Sequence, residues 1–280
     1  MRLFGLGLLF SLGSENEKME KTNISKFMGI IAIVTLVVFS TPSCNKSKVN
    51  TITISGQVTD FDGNPIDNSQ VELRRKDFSA AYETVSDKTG HYVLNGVEKG
   101  QYIAMFAMRT KEYPRSNAVP EEDMRLEFWA WNVIADKDLT INPRYHRLEL
   151  YGFQVFRVLG GAPYLMAYVR PMSLGKMLTY GKDVYLNKEK GEKAADISVE
   201  PKDIEFEMYA GDELLTVHSV ESVYEFHGKE QPTRAFFLQF DPPKERPESN
   251  SVIFRIVATH NAFGGERGEN WYFYKLIDYK

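Results

Sequence analysis

The chain has 280 residues, 43% hydrophobic and 26% charged, with 34 Lys+Arg against 38 Asp+Glu and a formal net charge of −4. An acidic balance excludes nucleic acid as a partner, because phosphate binding needs clustered cations that displace counterions. A single cysteine, Cys44, excludes an internal disulfide and a thiolate metal cage, and a chain of this length can bury one large core or two ordinary ones.

Residues 27–39 are apolar except for Gly29 and Thr35; Lys18, Lys21 and Lys26 precede them, and Ser40-Thr41-Pro42-Ser43-Cys44 follows. A basic region, a short apolar region and a small residue at the break form a secretory signal. The apolar run is shorter than the roughly 20 residues of a spanning helix; an uncleaved anchor is the alternative. The segment resembles a lipoprotein signal peptide of the Bacteroidetes type, with Thr41 and Ser43 in the lipobox and Cys44 as the lipidated residue. That resemblance implies a cleaved signal at 1–43, a lipidated tether at 44–50 carrying palmitate-type chains, and the outer membrane as partner and location. Two or more acyl chains give stable attachment, at about 0.8 kcal/mol per buried CH₂. Asn45-Lys46-Ser47-Lys48 lacks the acidic residues usual in surface-exported relatives, which favours the periplasmic face over the cell surface. Met19 opens a signal of ordinary form and is an alternative start.

From residue 51 the pattern is β. Ile52, Ile54 and Val58 alternate with Thr53, Ser55 and Gln57; Val71 and Leu73 alternate with Glu72 and Arg74; Tyr92 and Leu94 precede an expected turn at Asn95-Gly96; Tyr102, Ala104, Phe106 and Met108 share one face. Period-two alternation bounded by Gly, Asn, Asp and Pro is the signature of antiparallel sheet. Asp62-Gly63-Asn64-Pro65, Asp87-Lys88-Thr89-Gly90 and Lys99-Gly100 supply turns.

The run Ile54-Ser55-Gly56-Gln57-Val58-Thr59-Asp60, then Asp62-Gly63-Asn64-Pro65-Ile66, Val71-Glu72-Leu73, Asp87, Gly90 and Gly100-Gln101-Tyr102 resembles the carboxypeptidase regulatory-like domain. The resemblance covers about residues 49–110. It implies a transthyretin-like β-sandwich of seven strands, a non-catalytic accessory in many proteins.

Residues 109–125 read as a polar loop, and 126–134 as an aromatic strand closing this sandwich. A boundary near Asn142-Pro143 gives a first domain at 51–141 and a second at 142–280. The second shows about eight candidate strands, at 147–159, 164–169, 204–209, 213–218, 222–226, 235–240, 252–259 and 270–277, enough for an Ig-like sandwich. Residues 187–195 read as a charged loop. The expected fold is all-β: two tandem antiparallel sandwiches after a cleaved signal peptide.

No catalytic set stands out. His146-Arg147-Leu148-Glu149 has the spacing of a zinc carboxypeptidase pair, but it opens a strand, where positions three apart face opposite sides. Asp60, Asp62, Asn64 and Asp67 crowd one loop without the glycine position of an EF-hand, and a turn explains them. No nucleophile elbow is present, no metal site and no cofactor are expected, and the chain reads as a non-enzyme. Trp129 and Trp131 share a strand face, either as a surface for stacking sugar rings or as core or interdomain seam. Trp271 opens a last aromatic strand, after a Gly-rich loop at 260–270. These three are the candidate ligand-binding residues. The expected function is a non-catalytic envelope lipoprotein that binds or scaffolds, with a glycan or an envelope protein complex as partner. The alternatives are a structural subunit of a fimbria-like assembly built by strand addition, and a hydrolase with its site in 143–280.

Overall fold

The computed structural model describes residues 50–161, 163–226, 232–245 and 251–276. The signal segment 1–43, Cys44 and all of the tether but Asn50 lie outside the described residues. In chain order the elements are β1 (Thr51–Gln57), β2 (Gln70–Arg74), β3 (Ala80–Val85), β4 (His91–Glu98), β5 (Gly100–Met108), β6 (Phe128–Ala135) and β7 (Leu139–Thr140). There follow β8 (Leu148–Phe156), β9 (Leu165–Ser173), three short helices α1 (Leu174–Leu178), α2 (Lys182–Tyr185) and α3 (Lys188–Ala194), then β10 (Ile204–Ala210), β11 (Glu213–Leu215), β12 (Val217–Glu225), β13 (Thr233–Phe240), β14 (Ser251–His260) and β15 (Glu266–Lys275).

The protein is all-β, as the alternation predicts. Among the described residues seven strands come from the first half and eight from the second, and they form three sheets: β4-β1-β7, β12-β13-β9-β8, and one of eight strands in the order β11-β10-β14-β15-β6-β5-β2-β3. The large sheet belongs to both halves. Its seam is a parallel pairing of β15 with β6, Asn270 opposite Trp129 and Tyr272 opposite Trp131. The aromatic strand β6 is therefore central in this sheet rather than the closing strand of the first sandwich. Closure of the three-stranded sheet comes instead from β7, parallel to β1.

The two small sheets cover opposite faces of the large one. Phe128 and Ala130 of β6 and Phe273 of β15 lie in a first core with Ile54, Val71, Leu73 and Met105. Trp131 and Tyr272, on the alternate face, pack against a second core of Phe153, Phe236, Phe240, Phe254 and Ile256. Successive side chains on a strand point to opposite faces, so one core is above the sheet and the other below it. A third cluster joins Leu174, Met177 and Tyr185 of the helical segment to Tyr113, Met124 and Leu126.

Three local readings are corrected. Asn95-Gly96 is a bulge inside β4 rather than a turn, with the register shifting between Ile52 and Ile54 of β1 and Gly96 at φ +70°. The charged stretch at 187–195 holds a helix, capped by Asn187, whose Oδ1 accepts the Lys190 N–H at 3.0 Å, and braced by a Lys193–Glu189 ion pair at 3.2 Å. The loop placed at 260–270 ends sooner, because β15 begins at Glu266; Glu269 and Asn270 are buried strand residues.

Candidate functional site

Trp129 and Trp131 lie where the face of β2, β5 and β6 that carries the buried Glu72, Arg74 and Phe106 meets the edge strand β8. Their rings stack on each other at 5.0 Å and 13°. Phe106, the cross-strand partner of Trp129, adds a ring at 5.4 Å, and the Arg74 guanidinium lies 4.3 Å from the Phe106 centroid. Tyr151 of β8 sets its ring edge-on to both indoles at 6.2 and 5.6 Å; the bulge at Gly152 lets the strand aim that ring. Protein rings thus take up the flat faces, and neither buried indole N–H closes a hydrogen bond of ordinary geometry.

Glu127 shares this face by alternation and lies buried with Glu149 of β8. Burial pushes the Glu127 carboxyl up to about 7. Burial, and then the charge of Glu127, hold Glu149 well above the ordinary carboxylate range. Around them Arg74 pairs with Glu72 at 2.8 Å and Arg170 with Glu225 at 3.0 Å. This cluster joins the two sandwiches through buried rings and protonatable carboxyls.

Trp271 lies on the opposite face, in a pocket lined by residues of β1, β7, β14 and β15. A cleft of about 480 Å³ opens there. Arg255 of β14 and Trp271 of β15, cross-strand partners, line it, and Tyr209 of β10 stands opposite Arg255 on the other side. Its wall carries Gln57, Thr59, Thr140 and Asn142, with Asp212 at the rim. Glu269 is buried beneath, accepting from Arg144 Nε at 2.8 Å and from Trp271 Nε1 at 2.6 Å. Its burial raises its carboxyl pKa, and Arg144 acts against that rise. Arg255 leans over Tyr209, 4.4 Å from the ring centroid, and its Nε is buried without a hydrogen-bond partner. An aromatic ring fixed by its own N–H, two guanidinium groups and two side-chain amides can bind a polar ring with many hydroxyls.

Sequence reading found Trp271 but not Arg144, Arg255, Gln57 or Asn142. The available signal was alternation, which puts Glu269 and Trp271 on one face; the wall comes from strands far away in sequence.

The other constellations are structural. Asp60 Oδ1 accepts the N–H groups of Asp62 and Asn64 at 2.9 and 2.8 Å, and Asp67 pairs with Arg109, so the acidic loop is a hydrogen-bonded turn. His146 precedes β8 and Glu149 is buried within it; among the described residues no three His, Cys, Asp or Glu side chains gather as a metal site. Ser173, Glu266 and His260 touch, but Glu266 stands between the other two, accepting from Ser173 Oγ and lying 2.9 Å from His260 Nδ1. All three are buried, and the order is wrong for a nucleophile, whose base must contact it directly.

Comparison with solved structures gives distant similarities. A "putative carbohydrate binding protein" from Bacteroides uniformis is 14% identical, covering 81% of this chain and 99% of that one at a TM-score of 0.27. The major pilin subunit BcpA of Bacillus cereus is 8% identical over 80% and 69% at 0.26, and a DUF3823 family protein from Bacteroides ovatus is 8% identical over 81% and 100% at 0.24. No curated protein matches the chain. Residues 53–117 match the model of the carboxypeptidase regulatory-like domain, so β1–β5 and the turns between them carry this regulatory-type module, in the place where the sequence resemblance put it.

Proposed function

We propose that this protein is a non-catalytic, lipid-anchored binding module of the cell envelope, and that the cleft at Trp271 takes a glycan. The cleft carries the reading: about 480 Å³ suits a small saccharide, and Trp271 is held in place by its hydrogen bond to Glu269. Trp129 and Trp131 serve as the seam between sandwiches, since their ring faces are already stacked. Cys44 provides the anchor, on the periplasmic face of the outer membrane. Fractionation tests it: the wild-type chain sediments with membranes, whereas Cys44→Ala is released.

A glycan array probed with the soluble chain from residue 45 tests the binding. Signals are expected to fall at least about tenfold, or about 1.4 kcal/mol, in Trp271→Ala and to survive in Trp131→Ala, with folding of both checked by circular dichroism. Binding lost in the folded Trp131→Ala and kept in Trp271→Ala would move the site to the opposite face.

A second reading, a structural subunit, draws on β12. This nine-residue strand forms one edge of its sheet, with Val220 and Tyr224 exposed. Such an edge can accept another strand; concentration-dependent oligomers by light scattering, abolished by Val220→Lys, would favour it.

A further inference from the structure

We infer that the saccharide bound at the Trp271 cleft carries a carboxylate, as in a uronic or sialic acid, and that Arg255 recognises it; this rests on the glycan reading above. Four charged side chains line the cleft: Arg144, Arg255, Glu269 and Asp212. Glu269 is committed. It is buried and accepts from both Arg144 and Trp271, so the Arg144 charge is matched within the protein. Asp212 is exposed, on the turn after β10, where water screens it. Glu207, farther along β10, takes the Tyr209 hydroxyl at 2.6 Å.

Arg255 remains. Its charge acts on the buried Glu269, but no described carboxylate lies at ion-pair distance from it, and its Nε is buried without an acceptor. Stacking on Tyr209 at 4.4 Å fixes the guanidinium plane, and the side chain lines the cleft. A planar, oriented fork with an unmet donor is complementary to a carboxylate, which accepts two parallel N–H bonds. The neighbouring Trp271 ring supplies the apolar contact for the face of the same sugar.

Matched pairs test this in titration calorimetry with the soluble chain: oligogalacturonic acid against its carboxyl-reduced form, and sialyllactose against lactose. At least one acid is expected to bind roughly tenfold or more tightly than its neutral partner, with affinity falling as salt rises. Arg255→Met should remove that preference, bringing affinity for the acid down to that for its neutral partner, and Arg255→Lys should restore part of it, because charge returns without the fork. Equal, Trp271-dependent affinity for acid and neutral partners would overturn the charge inference and leave the glycan reading standing. Absence of Trp271-dependent binding to any saccharide, acidic or neutral, would overturn both.

Discussion

Glu127 and Glu149 lie buried where β8 crosses β6, and burial lifts both carboxyl pKa values. In the unfolded chain they ionise near 4.5. Folded Glu127 holds its proton up to about 7. The folded state therefore binds the proton more tightly, and its stability falls as pH rises from about 4.5 to about 7. The lowered pKa values of Asp60, Asp77, Asp87, Asp196 and Asp241 act below this window. His146, lowered mainly by burial, gains stability as pH rises and opposes the trend. The informative quantity is accordingly the difference between wild type and Glu127→Gln. Between pH 5 and pH 7.5 the wild type should lose about 3–6 °C in Tm relative to the variant. Parallel Tm curves by differential scanning fluorimetry would show that Glu127 does not titrate there. Alternation in the sequence places Glu127 on the face of Trp129 and Trp131, but only long-range packing reveals β8 covering that face. For the same reason Trp271 was legible as a candidate and Arg255 was not: an aromatic stands out by type, whereas an arginine on a strand is ordinary until its partners are known.

Strand positions were mostly legible, because period-two alternation survives wherever one face is buried. The short helix α3 was not, since its charged sequence carries no apolar stripe and its start rests on one asparagine cap. Contacts between sheets left only a faint mark, as glycines inside strands. Gly268 of β15 shows this: a Cβ built there would lie 2.3 Å from the Leu148 carbonyl oxygen of β8 and 3.0 Å from its carbonyl carbon. These are backbone atoms of a buried strand, so neither can step aside alone. Gly268→Ala should separate β8 from β15 and destabilise the protein by about 1–3 kcal/mol. Thermal denaturation checks it, with Gly211→Ala as a caution against reading glycine loss generally: Gly211 has φ +59° and nothing within 4 Å of its Cβ position, so its cost is backbone strain without a clash. A Gly268→Ala protein as stable as wild type would mean that β8 rides farther from β15 than this packing has it.

At the scale of the molecule, the two sandwiches read from the sequence are joined through one sheet. The described residues form one compact unit, and the reason is specific. β15, the last strand, is the neighbour of β6, and its Phe273 lies in the first core, while Asn132 Nδ2 of β6 donates to the Phe273 carbonyl at 2.6 Å. The first half therefore lacks part of its own core and sheet until the last strand arrives. Two further ties act the same way: Arg144 holds Glu269, and Asn270 Nδ2 donates to the Leu150 carbonyl. A fragment of residues 51–141 would expose β6 as an unpaired edge with Phe128 and Ala130 short of a covering ring, a surface prone to association. The full unit should unfold in one transition, with calorimetric and van't Hoff enthalpies equal. The fragment should show no cooperative melt. Two resolved transitions, or a fragment that melts sharply by circular dichroism, would mean that each sandwich is stable alone and that the β15–β6 pairing is a docking contact. If the single transition holds, saccharide bound at Trp271 raises the Tm of both halves together, because the cleft is built from β1, β7, β14 and β15 at once.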